Sequence, residues 1–155
     1  MAHEHPEPAF DAVAAHRFFS ADCFNRAWEL IDKPHRTSHE DLELVALNQA
    51  SIFHWQQRAD CTDTHRSIGY WQASRIQALL GNAAEARRHA QTSLAFAEEA
   101  APFYRGYAYE AFARAEKLAG DTTRAAEYAA MAQAEAQNVS ETVERTALLA
   151  DLARL

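Results

Sequence analysis

Gly81-Asn82-Ala83-Ala84-Glu85-Ala86 is the stretch on which the reading of the fold turns. Glycine tolerates the left-handed conformation that closes a helix, and an asparagine just after it can cap the first turn of another. The chain repeats this corner at Gly120-Asp121, 39 residues further on, with Ala125 where Ala86 stands. Under the same shift Arg66 falls on Arg105, Tyr70 on Tyr109, Leu79 on Leu118, Ala90 on Ala129 and Ala97 on Ala136. Ser74 falls on Ala113 and Ser93 on Ala132, so small positions stay small. Small side chains let helices approach closely, and the bulky ones fill the gaps between successive pairs.

Outward from the corners, apolar residues recur at helical spacing almost to both ends. The pattern predicts helices over 64–80 and 82–100, forming one hairpin at 64–100, and over 103–119 and 121–138, forming a second at 103–138. Pro102 separates the two units. Ser140 opens a last helix to Leu155, a lid on the stack. Toward the N-terminus, Ser38 followed by Asp41 resembles a capping box that opens a helix to about Arg58. Before it, a helix from Ala9 to Phe19 is followed by a short one capped by Ser20 and stopped at Lys33-Pro34. Residues 1–8 read as a flexible lead-in, in which His3 and His5 could hold a metal loosely. Residues 9–155 read as a single domain, with irregular N-terminal helices over 9–58. The fold class is all-α, a right-handed stack of antiparallel helical hairpins with a C-terminal capping helix. The alternative is an alanine-rich helical bundle.

The corner residues resemble those of the tetratricopeptide-repeat family. Members have a glycine at each hairpin corner, an acid or amide after it, and alanines at set places in the second helix. The resemblance covers residues 64–138 and implies a TPR-like α-solenoid with a concave ligand face. The 39-residue spacing departs from the usual period of about 34 residues, so the helices or the Ala101-Pro102 connection are longer here. Phe24-Asn25-Arg26-Ala27-Trp28, with Asp32-Lys33-Pro34 and His54-Trp55, is also similar to short uncharacterised bacterial proteins, which supplies no activity.

Composition narrows the function. Of 155 residues, 48% are hydrophobic and 24% charged, as in ordinary globular proteins, and acids outnumber Lys plus Arg by 22 to 15 for a net charge of −7. That balance argues against nucleic acid or a membrane surface as partner. Cys23 and Cys61, without CxxC spacing, fit a reduced, cytoplasmic setting. No zinc signature, phosphate loop or nucleophile elbow is present, so no metal, no cofactor and no catalytic residue is assigned.

The resemblance places Trp71 and Arg75 on the concave face of one hairpin and Glu110 and Arg114 on that of the next, with Tyr107 a turn away. Arginines suit carboxylate or phosphate groups, and aromatic rings hold a ligand's apolar part. Both arginines read as ligand-facing, so reversing their charge is expected to leave folding intact. The first expectation is therefore a non-catalytic module that binds a protein or peptide, or an acidic partner. The second is a small-molecule-binding protein or unusual enzyme whose pocket is closed by Trp28, His54, Trp55 and Arg75, with His54 as a desolvated base or ligand. The third is self-association as a homodimer.

Overall fold

The computed structural model describes residues 7–155, so His3 and His5 lie outside the described residues. Seven helices and no strand occur among them: α1 (Ala12–Ile31), α2 (Ser38–Gln56), α3 (Asp63–Leu79), α4 (Ala83–Ala97), α5 (Pro102–Leu118), α6 (Thr122–Gln137) and α7 (Thr142–Leu152). No helix is long and apolar enough to cross a membrane.

Each helix packs on the next across a short connection, and α3, α5 and α7 also pack in sequence on one another. The corners work as the glycines require. Gly81 and Gly120 have φ of 82° and 83°, a region that costs other residues about 1–2 kcal/mol. Asp121 caps α6 by accepting from the Arg124 N–H at 3.0 Å. Asn82 stands at the corresponding position but makes no cap bond. Its amide donates to Gln77 Oε1 at 2.9 Å instead.

Four boundaries differ from expectation. α1 runs unbroken through Ser20, which is fully buried and caps nothing. The Ser20 hydroxyl donates to Arg17 O at 3.0 Å and accepts from Arg58 at 2.9 Å, so it ties α1 to the end of α2. The cap of α2 is Thr37, with Glu40 closing the box, one residue earlier than Ser38 and Asp41. Pro102 is the first residue of α5, where a missing N–H costs nothing, rather than a spacer. α7 begins at Thr142 rather than Ser140.

Three apolar clusters hold the helices together. Cys23, Ala27, Ile31, Leu44, Leu47 and Ile76 join α1, α2 and α3. Ala90, Ala111 and Phe112 join α4 to α5, with Trp71 and Tyr128 against them. Ala132, Ala136, Leu148 and Leu152 seat α7 on α6, with Tyr107 alongside. Burying a leucine such as Leu44 or Leu148 contributes roughly 1.5–3 kcal/mol. Between α3 and α4 the seam is polar. Ser67 and Ser93 each donate to the other's carbonyl at 2.9 Å, and Ser74 donates to Ala86 O at 2.7 Å.

Candidate functional site

Trp71 and Arg75 stand one turn apart on α3, and Tyr107, Glu110 and Arg114 follow at three- and four-residue steps on α5. α3 packs directly on α5, which brings the two faces together. The Trp71 indole N–H donates to Glu110 at 3.2 Å, a bond between positions 39 residues apart. Arg114 pairs with the other Glu110 oxygen. Glu110 is fully buried with both oxygens engaged, so it offers a ligand neither a base nor a nucleophile.

Aromatic rings continue the face to either side. Trp28 of α1 lies 5.5 Å from Trp71, Tyr107 meets Trp71 edge-on at 4.9 Å, and Phe103 meets Tyr107 at 5.0 Å. The Tyr107 hydroxyl donates to Asp151 of α7 at 2.9 Å. Burial pushes the Tyr107 phenol far above its ordinary pKa, the Asp151 charge adds to the rise, and Arg75 opposes it. This linked row therefore crosses α1, α3, α5 and α7.

Arg75 and Arg145 are the half-buried arginines that hold no carboxylate among the described residues, and Arg145 donates to the Val139 carbonyl at 3.3 Å. Arg36, Arg58, Arg105 and Arg114 each hold a carboxylate. Arg75 holds none, and its Nε, like that of Arg114, is buried without a hydrogen-bond partner. Its guanidinium lies 5.3 Å from the centre of the Trp28 ring. One turn before it on α3 a cleft of about 310 Å³ opens between α3 and α5, lined by Ile68, Trp71, Phe103 and Tyr107, and Arg75 itself lines neither this cleft nor the next. One turn after it a second cleft, of about 440 Å³, is lined by Leu79, Leu118 and Leu155 together with Arg114, Lys117 and Arg154.

The five residues assigned to the concave face are thus brought together, but not in equal roles. Arg114 is committed to buried Glu110, which corrects the expectation that both arginines can be reversed without harm to the fold. Of these two arginines, Arg75 is the one without a carboxylate partner among the described residues.

His54 and Trp55 belong to other surroundings. His54 Nδ1 faces His16 Nδ1 at 2.8 Å, between Phe19 and Phe53. One ring donates and the other accepts, and burial followed by the His16 charge lowers the His54 pKa. Trp55 stacks on His65 at 4.0 Å and lies 3.8 Å under the Arg58 guanidinium. Trp28 and Arg75 meet each other, but His54 and Trp55 do not join them in one pocket. Phe103 and Asp151 escaped the sequence reading. Phe103 carries a signal, since it sits one turn before Tyr107. Asp151 carries none, because its partner is 44 residues away. Among the described residues no group of three or more His, Cys, Asp or Glu is placed to hold a metal ion.

Comparison with protein-family models, with curated proteins and with solved structures returned no match.

Proposed function

We propose that this chain is a non-catalytic interaction module that holds an acidic peptide or protein segment on the face formed by α3 and α5. In this reading the helices form a right-handed, tetratricopeptide-repeat-like stack of hairpins. α1 and α2 act as an irregular first unit, α7 caps the far end, and the odd-numbered helices line the inner surface.

The observation that carries the proposal is Arg75. The buried Nε of half-buried Arg75 has no hydrogen-bond acceptor and its guanidinium has no carboxylate among the described residues, an arrangement that a ligand's anion would relieve. Clefts walled by aromatic and leucyl side chains on either side suit the apolar parts of the same ligand. The net charge of −7 makes this local basic character a departure from the chain's average.

The test is a titration of isotope-labelled protein, followed by NMR. The probe is a randomised pool of capped nonapeptides built from glutamate, leucine, phenylalanine and serine. A second pool carries glutamine for glutamate. The acidic pool is expected to shift the Arg75 side-chain signal and the indole signals of Trp28 and Trp71, and R75Q is expected to abolish the shifts while leaving the circular dichroism unchanged. Equal responses to the two pools, or full binding by R75Q, would overturn the proposal.

A further inference from the structure

We infer that the α3–α5 face reads an extended peptide of a particular five-residue pattern: an apolar side chain, then an acidic one two residues on, then a second apolar one two residues beyond that. The inference rests on the interaction-module reading and specifies its ligand.

The argument begins with three features in a line. Trp71 marks the aromatic cleft, Arg75 the unpartnered cation, and Leu79 the leucine cleft. They follow one another at four-residue intervals on α3, so each step is about 6 Å at the helical rise. α5 repeats the order beside it, with Tyr107 at the aromatic cleft and Leu118 at the leucine cleft. An extended chain turns every second side chain to the same side, at intervals of about 6.6 Å. Three consecutive same-side residues therefore meet the aromatic cleft, Arg75 and the leucine cleft in order. The pattern is symmetric, so it fits in either chain direction.

An extended segment presents the three groups within five residues, whereas a helix needs nine, at four-residue steps, to match the same intervals. The experiment separates the two.

Leu79 and Leu118 add an independent reason. They are 45% and 42% exposed, they correspond under the 39-residue shift, and both line the second cleft. Two large apolar side chains held at matching exposed positions contribute little to the core and suit an apolar anchor. Lys117, beside them, has no carboxylate partner among the described residues, which makes a further acid near that anchor favourable.

The experiment uses fluorescein-labelled, capped peptides of eleven residues in a glycine-serine background, each with one phenylalanine, one glutamate and one leucine. The three are placed in succession, at two-residue steps, or at four-residue steps that would align on a helix. Fluorescence anisotropy with the full chain is expected to rank the two-residue spacing at least tenfold tighter than either other spacing. Glutamine for glutamate is expected to weaken it at least fivefold. R75Q should bind the glutamate and glutamine peptides alike, and L79S/L118S should lose the spacing preference while keeping its helicity. Indifference to spacing, or preference for the helical spacing, overturns this inference and leaves the acid-binding module standing. Indifference of the native protein to glutamate against glutamine overturns both.

Discussion

Replacing Arg114 with methionine isolates the buried charge at the centre of the candidate site. The Glu110 side chain is 1% exposed and that of Arg114 is 23% exposed, so the two ends of the pair are unequally sheltered. R114M leaves a carboxylate inside the protein with only the Trp71 indole N–H to satisfy it. Breaking a buried pair from one side costs about 3–5 kcal/mol, and the partial exposure of Arg114 puts this case at the lower end, about 3 kcal/mol. E110Q removes the charge but keeps an oxygen to accept from Trp71, while Arg114 turns to water, for a cost of about 1 kcal/mol. E110Q/R114M has no buried charge, and its cost falls to about 1–2 kcal/mol, well below the sum of the single changes. At roughly 2–4 °C per kcal/mol for a chain of this size, R114M lowers the melting temperature by about 6–12 °C. Urea unfolding followed by far-ultraviolet circular dichroism on the four proteins closes the cycle. If E110Q costs as much as R114M, or if the changes simply add, Glu110 does not depend on a counter-charge and the reasoning fails.

Two further outcomes are expected. G81A and G120A should each lose about 1–2 kcal/mol by thermal melting, because the glycines have positive φ and nothing lies within 4 Å of an added Cβ, so the cost is backbone strain alone. G81N should lose less, since asparagine tolerates that region, and a cost near zero for G81A would count against the corner reading. Stability should also fall at mildly acidic pH through His65, whose Nδ1 accepts from the Thr62 N–H at 3.1 Å. Burial, followed by the nearby Arg58 charge, lowers the His65 pKa below its ordinary 6.5. The unfolded chain therefore binds the proton first. The contribution is complete above about pH 6.5, erodes below it, and is gone once the pH has fallen through the lowered folded value. His54 and His89 act in the same direction. H65Q should thus flatten the pH dependence of urea midpoints only in part, and an unchanged slope would refute the His65 contribution.

How much of this was legible in the sequence depends on how local the cause is. The two glycine corners are local, and both appear with the expected backbone. Positions 71 and 110, which correspond under the 39-residue shift, also bond to each other, a contact the sequence does not announce. Ser20 misled because a serine that caps a helix and one that ties two helices together look alike in sequence, and Arg58 is 38 residues away. Thr37 and Ser38 are adjacent hydroxyl residues followed by adjacent acids, so composition alone does not choose between two boxes one residue apart. Glutamate is among the residues least often fully buried, and Glu110 beside Arg114 reads as an ordinary surface pair until α3 supplies the indole that covers it. His54 is defined by His16, again from a distant turn of chain.

The reciprocal Ser67–Ser93 bonds bear on how the α3–α5 face can move. Alanine surfaces are smooth and resist sliding weakly, whereas two hydroxyls locked onto opposing carbonyls oppose any displacement along the helix axes. α3 and α4 are then coupled as one lever, with the Ser74–Ala86 bond as a second rivet nearer the corner. A guest that widens the valley beside Arg75 would tilt this pair as a rigid unit, and the tilt would reach the outer surface of α4, opposite the guest.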